Sequence, residues 1–210
     1  MMELFSKIKN KGVRGTFRSI KEKILTISHG YQLDLTKYNS TSGKEVYPYR
    51  LLRMNIAHLT SVKNLYSDEL SDNKYKILEE RILHSQVHLP YVVEDEEGNI
   101  CGYFHIAHGE TRDGTINSNI KVNEGSIYLF DDYTFIDKRG KGVHKFSVLS
   151  RLELAKELKC SIAIVNILSN NMYSKRTYIS IGFNKCISYY YIHFSKFRKT
   201  ISKNSHVANV

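Results

Sequence analysis

Arg139-Gly140-Lys141-Gly142-Val143 sets two cations and two glycines within five residues. Such a stretch suits an anion, and its flanks say where the anion would sit. Before it, Gly125-Ser126-Ile127-Tyr128-Leu129-Phe130-Asp131-Asp132-Tyr133-Thr134-Phe135-Ile136 is rich in aromatic and β-branched residues and reads as a strand. After it, Val143, Phe146, Leu149, Leu152, Ala155 and Leu158 recur at helical spacing. The loop therefore joins a strand to the start of a helix. The first helical turn leaves backbone N–H groups unpaired, and the helix dipole adds partial positive charge there. Glycines let a phosphate approach that backbone closely. Arg139, Lys141 and Lys145 add full charges. The stretch is expected to bind a phosphate-bearing ligand such as a cofactor.

Two common phosphate motifs do not fit. The dinucleotide fingerprint needs a third glycine where Lys145 stands, and the P-loop needs Gly-Lys-Ser/Thr where Gly142 is followed by Val143. Further on, Ser161-Ile162-Ala163-Ile164-Val165-Asn166-Ile167-Leu168 is nearly all apolar, as a strand buried on both faces would be. Asn171 then opens a helical stretch with Tyr178 in its last turn and Gly182-Phe183 after it. Gly182 suits the left-handed residue that ends a helix.

Arg139, Gly142 and their spacing resemble the acyl-CoA pyrophosphate loop of the GNAT superfamily of N-acyltransferases, in which an Arg or Gln and a Gly precede a final Gly or Ala. His144 occupies that last position and departs from the pattern. Asn171, Tyr178, Gly182 and Phe183 fall in register with the second GNAT motif. The resemblance covers roughly residues 48–195, with the motifs inside 125–183. It implies an α/β fold: a mixed, mostly antiparallel sheet with a central splayed parallel strand pair, flanked by helices. It also implies acetyl-CoA as acyl donor, with the pantetheine arm in the gap between the splayed strands. Backbone groups at Thr134, Phe135 and Ile136 would pair with that arm. Arg139, Gly140, Lys141, Gly142, Val143 and His144 would cradle the pyrophosphate. Asn171 would cap its helix and touch the cofactor's amide, and Tyr178 would protonate the leaving thiolate.

A base for the amine acceptor is less sharply marked. Asp131 and Asp132 lie mid-strand, and alternation puts them on opposite faces. Partial burial would raise a carboxylate's pKa toward a base's useful range. His105 and His108 are rivals. His84 and His88 are four apart, but no further ligand spacing supports a metal site.

The chain has 210 residues and a formal net charge of +10. Residues 1–26 and 184–210 each carry a net +5, and the centre is neutral. Such blocks suggest tails that meet an anionic surface. Val13, Phe17, Ile20 and Ile24 fall on one helical face among basic residues, an arrangement that suits an anionic membrane or a docked helix. No run reaches the ~18 apolar residues of a membrane span. The basic N-terminus lacks a secretory apolar stretch. Cys101, Cys160 and Cys186 read as free thiols in a reducing compartment. The expected location is cytoplasmic, with peripheral contact at the inner face of the membrane.

Three regions are expected: a basic amphipathic extension and linker (1–47), a GNAT-like domain (48–195) and a basic tail (196–210). Residues 49–54 read as the first strand, 57–67 and 72–86 as helices, and 91–94 with 100–106 as a hairpin about Asp95–Asn99. Residues 109–124 read as a polar loop. Two functions compete. One is an N-acyltransferase acting on a small-molecule primary amine, such as an amino-sugar of a cell-envelope pathway. The other is a non-catalytic GNAT-like protein that binds an anionic membrane or polymer. No nucleic-acid motif is present, and a homodimer stays open.

Overall fold

A strand, a helix and a strand in succession force a parallel pair, because the helix carries the chain back to its starting edge. Here they are β7 (Ser126–Thr134), α3 (Val143–Glu157) and β8 (Ile162–Leu168). The computed structural model describes residues 24–39, 47–194 and 197–204. The basic helix expected over 13–24 lies outside them but for its last residue, as does most of the linker at 38–47.

Around that pair stand β1 (Leu25–Asp34), β2 (Tyr49–Arg53), β3 (His88–Asp95), β4 (Ile100–Ala107), β9 (Asn184–Phe194) and β10 (Phe197–Asn204). The eight strands run in the order β10-β9-β1-β8-β7-β4-β3-β2. Every neighbouring pair but β7/β8 is antiparallel. The mixed sheet and its helices match the expected fold class.

The parallel pairing is short. It runs from Ser126↔Ile162 to Leu129↔Val165 and stops, although β7 continues to Thr134 and β8 to Leu168. Beyond Leu129 the two strands part, and a gap opens toward their C-terminal ends.

Helices cover both faces. Alternation sends Val92 and Tyr103 toward Leu59, Val62 and Leu78 of α1 (Ile56–Leu65) and α2 (Asp72–Leu83). It sends Val93 and Phe104 the other way, onto Val143. Ile127, Leu129, Ala163 and Val165 pack with Val148, Leu149 and Leu152 of α3 and with Tyr178 of α4 (Met172–Ile181). This central layer holds α3 and α4 beside the gap.

Three expectations change. The first strand is Leu25–Asp34, which inserts between β8 and β9; 49–53 is the second. Residues 109–124 are not all loop. They contain the hairpin β5 (Thr111–Asp113) and β6 (Ser118–Ile120), and Ile116, Ile120 and Val122 pack on Ala107 and Tyr128. Part of the presumed basic tail, 197–204, is the edge strand β10, paired to β9.

Candidate active site

The gap is shaped by a bulge in β7. Tyr103 pairs with Tyr133 and His105 with Phe130, so one residue of β4 faces two of β7, Asp131 and Asp132. Asp131 takes φ +53, a left-handed conformation that aspartate tolerates better than most residues. The bulge re-phases the strand. Ile127 and Leu129 face α3, and Asp131 would follow them if alternation continued. Instead Asp131 turns to α2, where Lys74 and Arg81 both bind its carboxylate. Asp132 takes the α3 side.

Asp132 is the centre of a buried polar network. Arg151, wholly buried in α3, donates to both its oxygens at 2.7 Å and to the His105 carbonyl at 2.8 Å. The Tyr178 hydroxyl donates to Asp132 Oδ2 at 3.1 Å. His144 Nε2 stands 3.4 Å from the same oxygen, with its ring edge-on to Tyr178. Burial alone would raise the pKa of Asp132, but the Arg151 guanidinium holds it well below the usual carboxylate range. Burial, and after it the Asp132 charge, raise the Tyr178 hydroxyl well above its ordinary value.

Next to this network lies a cavity of about 1050 Å³. Its floor is Asp132, Tyr133 and Thr134 of β7, and its walls are the loop from Lys138 to Lys145 and the first turns of α4. The loop begins with a single 3-10 turn, Ile136–Lys138. Gly140 and Gly142 then take φ +75 and +83, which only glycine adopts freely. Gly142 is the N-cap of α3 and supplies no side-chain cap, so the helix presents its first-turn amides without one. Arg139, Lys145 and Arg176 line the cavity against the single carboxylate of Asp132, and Lys138, which also lines it, has its ammonium paired with Asp95 at 3.0 Å. Arg139 lies over the Tyr133 ring, and its Nε donates to the Thr134 carbonyl at 3.0 Å. The space is therefore cationic and ends in helix amides, as a phosphate-bearing molecule requires.

The structure gathers Asp132, Thr134, Arg139, Gly140, Gly142, Val143, His144 and Asn171 around this cavity. Asn171 caps α4, its side chain accepting the Ser174 N–H at 3.1 Å. Other expected residues lie elsewhere. Phe135 is buried against Tyr66, and its N–H donates to the Cys101 carbonyl. The Ile136 N–H donates to Glu69, and the carbonyls of both residues are taken by the 3-10 turn. Neither backbone is free to pair with a ligand arm. Lys141 points to solvent, its carbonyl accepting the Tyr49 hydroxyl. Tyr178 is buried behind Asp132.

The expected rise in carboxylate pKa is reversed for both aspartates. At Asp131 burial again pushes upward, but Lys74 and Arg81 outweigh it and hold the group at about 2. His105 is wholly buried, its Nδ1–H directed at the Asp131 carbonyl and its Nε2 facing Arg81. Burial brings its pKa down to about 3, so it stays neutral and is a poor base. His88 is held by Ser85 and Thr111.

Sequence reasoning missed Arg151, Lys74 and Arg81. The available signal for Arg151 was spacing: His144, Ser147 and Arg151 share one face of α3 at i, i+3 and i+7.

No family profile matches the chain, and a search of curated proteins finds no match. Solved structures do. A tandem GNAT protein from the clavulanic acid biosynthesis pathway superposes with a TM-score of 0.56 at 12% identity, over 86% of this chain and 54% of its own. A GCN5-related glucosamine N-acetyltransferase region of a fungal multi-domain β-N-acetylglucosaminidase gives 0.56 at 13%, over 84% and 22%. A protein assigned to the GNAT family from Novosphingobium aromaticivorans gives 0.54 at 10%, over 79% and 62%. The chain thus spans less than two thirds of each of these three. At such identities the likeness is one of architecture, and on architecture it agrees with the parted strands and the glycine loop: this chain has the fold of the GNAT acetyltransferases.

Proposed function

We propose that this protein transfers an acyl group, most simply acetyl, from acyl-CoA to a primary amine. The observation that carries this reading is the cationic cavity at the parting of β7 and β8, closed by the uncapped N-terminus of α3. The α3 amides, Arg139 and Lys145 would hold the pyrophosphate, and Arg176 adds charge for a further phosphate, whereas the Lys138 ammonium is paired with Asp95. CoA supplies a thioester, whose sulfur leaves readily. Thr134 and Asn171 offer the polar groups that line the way inward.

The acceptor we propose is an amino-sugar, in line with the glucosamine N-acetyltransferase region among the fold neighbours. The basic segment 1–26 would hold the enzyme against an anionic membrane from the cytoplasmic side, where a cell-envelope pathway would present such a substrate. Among the described residues no helix is long and apolar enough to cross a membrane.

Calorimetry with CoA tests the cavity. Arg139→Ala removes a charge-assisted contact of about 1.5–3 kcal/mol. Gly142→Val forces a branched side chain into a left-handed conformation and sets its Cβ 3.4 Å from Tyr47. Both variants should bind CoA at least tenfold more weakly, which corresponds to about 1.4 kcal/mol. Unchanged affinity in both would remove CoA from the proposal.

A further inference from the structure

The side chains around the cavity are unevenly engaged. Arg139 is held by the Thr134 carbonyl, Lys138 by Asp95, and His144 stands against Asp132. Tyr173 and Arg176 also line the cavity. Among the described residues the Tyr173 hydroxyl has no hydrogen-bond partner and its ring no aromatic neighbour, and the Arg176 guanidinium has neither an ion pair nor a hydrogen bond. Tyr173 is 84% exposed, although an aromatic ring gains by burial. The two stand three apart on α4, so their side chains are neighbours on its surface. Tyr178, on the buried face of the same helix, reaches Asp132 at the cavity floor. At roughly 100° per residue, Tyr173 and Arg176 lie about 140° and 160° round the helix from Tyr178. They therefore form the rim of the cavity, turned away from its floor. A CoA molecule with its pyrophosphate on the α3 amides sends its pantetheine arm inward to the gap and its nucleotide outward to this rim. The cavity has room for both, since its volume of about 1050 Å³ matches the largest ligand sites, in a range of about 300–1,000 Å³.

We infer that Tyr173 and Arg176 clamp the nucleotide of the donor: the Tyr173 ring stacks on adenine, and the Arg176 guanidinium takes the 3′-phosphate. This inference rests on the acyl-CoA reading above. It specifies the donor as a free CoA thioester. A pantetheine arm carried on a protein has neither adenine nor 3′-phosphate and would leave both residues idle. A purine presents a large flat π-face, and stacking on an aromatic side chain needs no matching pattern of hydrogen bonds. The planar fork of a guanidinium fits two phosphate oxygens at once. Adenine and the 3′-phosphate are borne by one ribose, so their partners must stand side by side, as residues three apart on a helix do.

The test measures binding of three ligands to the full chain by calorimetry: CoA, dephospho-CoA, which lacks the 3′-phosphate, and 4′-phosphopantetheine, which lacks the whole nucleotide. Tyr173→Ala should weaken CoA and dephospho-CoA by about tenfold, and 4′-phosphopantetheine by less than about twofold. Tyr173→Phe keeps the ring and should bind CoA within about twofold of the parent. Arg176→Gln should weaken CoA by about fivefold or more and leave dephospho-CoA unchanged. Thermal midpoints of all three variants should stay within about 2 °C of the parent, because these side chains hold nothing in the fold. A second readout uses the absence of tryptophan from the chain. Tyr173→Trp places a single indole at the rim. Its fluorescence should be quenched by CoA and dephospho-CoA, and left nearly unchanged by 4′-phosphopantetheine.

Parent-like CoA affinity in Tyr173→Ala, or an equal loss for 4′-phosphopantetheine, would overturn the inference and leave the loop and its phosphate site standing. So would an indole that ignores bound CoA, or an Arg176→Gln variant that loses CoA and dephospho-CoA alike. A parent protein that binds 4′-phosphopantetheine as tightly as CoA would point to a carrier-held donor and overturn it as well. A parent protein that binds none of the three would instead bring down the acyltransferase reading itself.

Discussion

Asp131 and Asp132 are adjacent in the chain and meet opposite surroundings. Asp131 faces α2, where Lys74 and Arg81 close over it and neutral His105 backs it. Asp132 faces α3 and α4, where Arg151, Tyr178 and His144 surround it and a cavity begins. The first side has more cations than it needs and no place in the cavity lining. The second has a single buried cation, and its histidine reaches the cavity. One extra residue in β7 separates the two. A bulge can therefore divide two like side chains into a structural anchor and a group within reach of a ligand.

The largest effect that would sharpen this contrast is on stability. Asp132→Asn leaves the guanidinium of Arg151 buried without its counter-charge, a loss of about 3–5 kcal/mol. Asp131→Asn leaves Lys74 and Arg81, which each keep some exposure to water, so the loss should be smaller, about 1.5–3 kcal/mol. Urea midpoints of the two variants measure the difference. Equal losses would mean that the two sides are equally buried in energetic terms, and the contrast would fail.

Acid should erode stability in two stages. His105 is neutral in the folded protein down to about 3, whereas an unfolded histidine takes up a proton near 6.5. The unfolded state therefore binds more protons between those values, and stability falls as pH drops below about 6.5. The aspartates act later. Asp131 is depressed to about 2 and Asp132 further, so their stabilisation is complete above the ordinary carboxylate value of ~4 and drains away below it. A urea midpoint that stays flat from pH 6.5 to about 4.5 would show that His105 is not sealed as its geometry indicates.

The legible part of this architecture was local. Ser126–Thr134, the glycine loop and Val143–Glu157 could be read because strand, turn and helix each follow from a dozen neighbouring residues. Asn171 and Gly182 marked the two ends of α4 for the same reason. Leu25–Asp34 escaped because Ser28 and Gly30 interrupt its apolar face, and its partners β8 and β9 lie far along the chain. Nothing in Phe130-Asp131-Asp132-Tyr133 reveals a bulge, since the bulge depends on register with β4. Alternation did predict that the aspartates part; it could not say which one meets α3. Their pKa shifts were misjudged because burial was weighed without Arg151, Lys74 and Arg81. A cation in a helix pattern defaults to the surface, and Arg151 is the exception.

The smallest expected effect concerns Asn171, on the open side of the comparison. Its side chain accepts the Ser174 N–H and also lines the cavity. These two roles come apart by substitution. Asn171→Ala removes the cap and should lower stability by about 1 kcal/mol. Asn171→Ser keeps a capping oxygen but is shorter and lacks the amide donor, so stability should stay within a few tenths of a kcal/mol of the parent. If the Asn171 amide also reaches a bound ligand, Asn171→Ser should weaken CoA binding by a few fold, roughly one hydrogen bond. Thermal unfolding and calorimetry on the two variants separate the outcomes. Parent-like CoA affinity in Asn171→Ser would make this residue a helix cap alone, and the ligand-facing wall of the cavity would then begin at Ser174 and Thr177, which line it one turn further along α4.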